Sequence, residues 1–109
     1  MQALHTDKAP AAVGPYSQAI EANGFIFASG SLPIDPATNA FVGGGVKEQT
    51  RQSLTNARNV LASAGVDLSH VVKTTVFLSD MENFAAMNEV YAEFFKEPYP
   101  ARSAFAVKA

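Results

Sequence analysis

The chain has 109 residues, 48% of them hydrophobic and 17% charged, enough for one compact domain and too few for a second core. Eight Lys and Arg against ten Asp and Glu give a formal net charge of −2, and the basic residues are scattered, which argues against the positive stripe that nucleic-acid binding needs. Cysteine is absent, so disulfides, thiolate nucleophiles and cysteine-based zinc sites are excluded, and His5 and His70 show no spacing that suggests a metal site.

The N-terminus lacks the basic-then-apolar pattern of a secretory leader, and no apolar run approaches the roughly 18 residues of a membrane span. A cytoplasmic protein without membrane contact is therefore expected. No repeat or low-complexity segment divides residues 1–109, which read as a single domain. The opening "KAPAAVGPYSQ" carries Pro10, Gly14 and Pro15 and is expected to be extended and irregular as far as Tyr16. Two short apolar runs follow, separated by Asn23-Gly24, the strongest short-range signal for a β-hairpin. In the second run Phe25, Phe27 and Ser29 point one way and Ile26 and Ala28 the other. Both faces are apolar, so this strand is expected to be covered on both sides.

"SLPIDPATNAFVGGG" reads as a long connection of the kind that often carries function or faces a partner. Val46, Thr50, Leu54, Ala57, Leu61 and Ala64 then recur at helical spacing, with Gly65 placed to stop the helix. "HVVKTTVFLS" is β-branched and apolar on both faces, as a central strand would be. Asp80 can cap a second helix through "MENFAAMNEVYAEFFKE", whose apolar stripe is Phe84, Met87, Tyr91, Phe94 and Phe95. Pro98 and Pro100 forbid its continuation. In the final run Ser103, Phe105 and Val107 share one face, and Arg102, Ala104 and Ala106 the other. The order of elements predicts an α+β fold, one sheet backed by two helices on a single face. Its uncovered face still carries phenylalanine and valine, so association with further copies of the chain is expected.

Four residues are not demanded by such a fold. Asn88 sits near the middle of the apolar stripe, where its amide either braces a nearby loop or faces a ligand pocket. Ser29 ends a strand just before Gly30; it either caps the turn or joins free backbone N–H groups in binding an anion. Tyr16 is either a packed aromatic or a pocket wall. Arg102 follows Pro100 and is flanked by alanines. Its guanidinium either makes a surface or interface salt bridge or grips a carboxylate with two parallel hydrogen bonds.

Taken together in order, "APAAVGPYSQA", "ASGSLPIDPAT", "VVKTTVFLSDMENFAAMNEVYAEFF" and "YPARSAF" resemble the RidA family, also called YjgF or the reactive-intermediate deaminases. The resemblance implies a chorismate-mutase-like subunit with a mixed sheet and two helices on one face. Three such subunits join through their sheets into a trimeric barrel with clefts between them. It implies hydrolysis of enamine and imine acids such as 2-aminoacrylate and 2-iminobutanoate to 2-keto acids and ammonia, with no cofactor and no metal. On this resemblance Arg102 holds the substrate carboxylate, and Ser29 and Tyr16 join it as catalytic residues. Asn88, Gly30, Ala104 and Phe84 complete the substrate-binding set. Two departures stand out. Ala104 occupies a position that is often cysteine in the family. The sequence also ends at Ala109, before a further strand that in the family carries a glutamate orienting the attacking water. A carboxylate- or keto-acid-binding regulatory or chaperone-like trimer without efficient turnover is thus the alternative. RNA cleavage, attached to some relatives, fits the charge balance poorly.

Overall fold

The computed structural model describes residues 1–108. The Asn23-Gly24 pair forms the expected hairpin between β2 (Ala19–Ala22) and β3 (Phe25–Ala28). Both turn residues take left-handed φ values, 52° and 78°, the primed geometry whose twist matches that of paired strands. A preceding strand, β1 (Gln2–Leu4), pairs antiparallel with β2, Ala3 opposite Ile20. Three residues are too few to display an alternation, so this strand leaves no pattern to read.

The long connection is not structureless. Ile34–Asp35 (β4) and Ala40–Phe41 (β5) form a small hairpin of their own. It is tied down by Asn56, a buried amide whose Nδ2 donates to the carbonyls of Leu32 and Ile34 at 3.1 and 2.8 Å. Asn56 belongs to α1 (Val46–Ala62). This helix starts where the Glu48 carboxylate accepts the Gly45 N–H at 3.0 Å. It closes where Gly65 (φ 74°) lets the Val66 N–H return to the Leu61 carbonyl at 3.1 Å, the stop that glycine permits without a steric penalty.

Strand β6 (Lys73–Leu78) and helix α2 (Phe84–Phe94) both begin later than the residue pattern predicts. In each case an aspartate caps a short 3-10 turn first. Asp67 accepts the Ser69 N–H ahead of Leu68–His70, and Asp80 accepts the Glu82 N–H ahead of Met81–Asn83. Local side-chain capping outweighs the apolar pattern at these two entries. The last strand, β7 (Ala101–Ala106), runs parallel to β6 with Arg102 opposite Thr74 and Phe105 opposite Phe77.

The fold is α+β, two helices on mixed sheets, but the strands do not form one continuous ladder. The β1–β2–β3 and β6–β7 ladders share no hydrogen bond among the described residues. They are joined by a common core. Leu61 from α1, Leu78 from β6 and Met87, Tyr91 and Phe95 from the α2 side cluster together, with Ile26 of β3 packed against them. Met87 and Val90 are 1% exposed, so truncating either to alanine should cost on the order of 1–5 kcal/mol. On the solvent side of the helices Lys47 pairs with Glu89 at 2.6 Å and Arg51 with Glu93 at 2.8 Å.

The opposite face of the sheets is open. Phe25, Phe27, Phe77 and Phe105 are 59, 64, 61 and 47% exposed, and the last two meet edge to face at 5.3 Å. The sequence leads one to expect β3 covered on both sides. In the single chain only the Ile26 side is covered, by the helices. No helix among the described residues is long and apolar enough to cross a membrane.

Candidate functional site

Arg102 lies on the inner face of β7, where strand alternation turns it toward α2. Its Nη1 donates to Asn88 Oδ1 at 2.6 Å. Its Cζ lies 5.4 Å from the centroid of the Phe84 ring and 4.8 Å from that of Tyr91. Phe84, Asn88 and Tyr91 are spaced by four and three residues, so they form one ridge of the helix. The space left by the neighbouring alanines is thus filled by aromatic rings. Among the described residues Arg102 makes no ion pair, and a half-buried guanidinium without a counter-ion has the donors and charge to receive an anion. Ala104, two residues further along the same face, is half-buried opposite Val76.

Asn88, one reading of which was a brace for a nearby loop, instead holds the arginine. The loop brace is Asn56. Tyr91 was legible only as part of the apolar stripe. Its hydroxyl, 2.7 Å from Thr74 Oγ1 on β6, makes it more than packing.

Tyr16, Ser29 and Gly30 gather elsewhere. They line a cavity of about 100 Å³ together with Gln18, Leu32 and Val60. Gln18 is buried and holds the N-terminal segment over this cavity through bonds to Thr6 and Pro10. Ser29 Oγ donates to the Ser17 carbonyl at 2.6 Å, and the Ser29 N–H donates to the Gln18 carbonyl at 3.0 Å. The hydroxyl hydrogen is therefore committed, and toward any ligand Ser29 Oγ is an acceptor. The next residue, Gly30, has open space on its Cβ side. Tyr16 Oη accepts the Val13 N–H at 3.4 Å, and the ring is half exposed.

The seven candidate residues thus fall into two groups. Arg102, Asn88, Phe84 and Ala104 lie between β7 and α2; Tyr16, Ser29 and Gly30 lie at the end of β3. No hydrogen bond or ion pair joins the groups among the described residues. Chemically, the first offers a fork-shaped cation with an apolar surround. The second offers a hydroxyl acceptor, a phenol and strand-end backbone. No cluster of His, Asp and Glu among the described residues could hold a metal ion.

Comparison with known proteins gives a consistent picture. A RutC family protein of Pyrococcus horikoshii is 52% identical over 97% of this chain and 84% of its own length. The goat protein named 2-iminobutanoate/2-iminopropanoate deaminase is 48% identical over 97% of this chain and 77% of its own length. The crystal structure of RidA from an Antarctic Psychrobacter superposes with a TM-score of 0.95 at 44% identity, covering 100% of this chain and 88% of that one. The family model described as Endoribonuclease L-PSP matches residues 6–109, and with these relatives the chain belongs to the RidA/YjgF family.

Proposed function

We propose that the chain is a cytoplasmic hydrolase that converts reactive 2-imino and 2-enamino acids to 2-keto acids and ammonia. The observation that carries this reading is the half-buried Arg102 guanidinium, held by Asn88 and two aromatic rings and without a protein anion among the described residues. A carboxylate fits it. A protonated imine beside that carboxylate is already electrophilic, so catalysis reduces to orientation and a positioned water. An enamine first takes a proton on carbon to become the same iminium. Water adds to the iminium carbon and gives up a proton, the carbon–nitrogen bond of the resulting carbinolamine breaks, and ammonia leaves as the carbonyl forms. Ser29 Oγ, with its own hydrogen spent on Ser17, suits accepting from the iminium N–H or from the water. Tyr16, Gly30 and Ala104 would bound the small substrate.

Two features support a homotrimer with the site completed between subunits. The phenylalanine face of the sheets is uncovered, and burying the exposed half of each ring would contribute roughly 1 kcal/mol. The Arg102 and Ser29 groups are also joined by no hydrogen bond or ion pair among the described residues. RNA, raised by the family model's description, is the weaker substrate class. Acidic residues outnumber basic ones, and Lys47 and Arg51 are already paired with glutamates, which disfavours phosphate binding.

The test couples a threonine dehydratase to the purified protein and follows 2-ketobutanoate release in competition with an amine that traps the imine. Acceleration by the wild-type chain and its loss in Arg102→Ala are expected. No acceleration, with tight 2-ketobutanoate binding, would favour a carboxylate-binding protein without turnover; full activity in Arg102→Ala would defeat the reading altogether.

A further inference from the structure

The Arg102 side chain is held by more than the residue it bonds to. Phe84 and Tyr91 flank Asn88 on α2, and the guanidinium carbon lies 5.4 and 4.8 Å from their ring centroids, so both rings lie beside the guanidinium that Asn88 bonds. Tyr91 is itself fixed from two sides. Its ring packs on Phe95 with centroids 4.5 Å apart, and its hydroxyl bonds Thr74 Oγ1 at 2.7 Å. Thr74 is the β6 residue registered opposite Arg102 in the parallel ladder. The connections close into a ring running from Arg102 to Tyr91, across to Thr74, and back through the strand pairing to Arg102.

We propose that Tyr91, anchored by Thr74, is a positioning residue that presets the Arg102 guanidinium for in-plane capture of a planar carboxylate. The proposal rests on the reading of Arg102 as the carboxylate receptor. A free arginine loses rotamer entropy when it is ordered. Here that ordering occurs in folding, before ligand arrives. With both rings beside it and Asn88 on Nη1, the donors left to a ligand lie along the other guanidinium edge. There Nε–H and Nη2–H have no partner among the described residues. A carboxylate accepts both donors in that plane.

The test removes the anchor without leaving a buried hydroxyl unpaired, using Thr74→Val together with Tyr91→Phe, since deleting both partners of a hydrogen bond is far milder than deleting one. The first readout is the 15Nε–1Hε order parameter of Arg102 by NMR; the second is the affinity for 2-ketobutanoate by titration; thermal midpoints check the fold. Lower Arg102 order and affinity weakened about 3- to 10-fold, the scale of one hydrogen bond, are expected. Tyr91→Phe alone, which keeps the ring and its packing, makes the same comparison if the double variant does not fold. Unchanged order or unchanged affinity, in a background where Arg102→Ala abolishes binding, overturns the positioning role and leaves the carboxylate reading standing. Undiminished 2-ketobutanoate binding by Arg102→Ala overturns that reading, and the role of Tyr91 with it.

Discussion

The two halves of the candidate site are built on different principles. On the β7–α2 side the Arg102 guanidinium is held by other side chains, the Asn88 amide and the rings of Phe84 and Tyr91. At the end of β3 the working groups are held by backbone: Ser29 is pinned through Ser17 and Gln18 carbonyls. A group positioned by side chains fails when one of them changes. A group positioned by backbone tolerates changes around it and loses only what its own atoms supply. The halves also differ in charge. One carries a full cation; the other carries only dipoles, which in the proposed function would act on a ligand already anchored.

The contrast is broken most severely at Arg102. Arg102→Ala should lower kcat/KM on 2-iminobutanoate by about 10²-fold, the worth of a charge-assisted bidentate contact in a half-buried site. Arg102→Lys should recover only part of it, because an ammonium restores charge without the fork. A loss confined to KM in steady-state kinetics would show uniform binding of substrate and transition state.

Next in size is the open face. Phe77→Asp places a charge against Phe105 where copies of the chain are proposed to meet. Sedimentation should show a monomer in place of a trimer, with activity falling at least roughly 10-fold if the cleft is shared. A monomeric wild-type chain at micromolar concentration would remove the basis for this prediction.

Asn88→Asp sharpens the comparison, because it installs a carboxylate 2.6 Å from the guanidinium and so a built-in competitor for the substrate. KM should rise about 10-fold, more than in Asn88→Ala, which loses one hydrogen bond and should shift KM about 3-fold. Ser29→Ala should lower kcat by about 3- to 10-fold with little change in KM, since only one acceptor is lost. Equal effects on both constants would place Ser29 in ground-state binding instead.

The smallest effect lies away from the site. Hydrogen bonding to Arg51 holds the Glu93 carboxyl below its usual range, and the Ser69 hydroxyl and N–H do the same for Asp67. A depressed folded-state value means that these groups stabilise the fold above the unfolded carboxylate range near pH 4. That contribution is lost as pH falls through the depressed values. Both residues are exposed, so Glu93→Gln should reduce the acid-side fall of the thermal midpoint by only about a degree or two. The partner effects on Lys47 and Arg51, both raised, are fully present at neutral pH and fade only in strong alkali.

Much of this architecture is legible in the residues. Asn23-Gly24 requires a turn that twists with its strands, and the Val46 to Leu61 spacing requires a helix that Gly65 can end. Where Asp67 and Asp80 cap short 3-10 turns, a polar side chain two residues from a free N–H decided the entry point, and apolar periodicity does not report that. The division of the sheet is invisible for another reason. Strand pairing depends on contacts distant in sequence, and Phe25, Phe27, Phe77 and Phe105 look the same whether they face a core or another subunit. Arg102 and Asn88 are conspicuous because each breaks an apolar pattern. Tyr91 is not, since a tyrosine at stripe spacing reads as packing until its hydroxyl is seen beside Thr74. How the Arg102 and Ser29 groups would combine leaves no local pattern to read, because no hydrogen bond or ion pair joins them among the described residues.

The most direct measurement compares the affinities of 2-ketobutanoate and its uncharged amide by titration against the wild-type chain and Arg102→Ala. The account predicts that the wild type binds the acid and discriminates against the amide by about 10²-fold, and that Arg102→Ala binds neither. Equal affinity for acid and amide, or acid binding that survives the loss of Arg102, would contradict it.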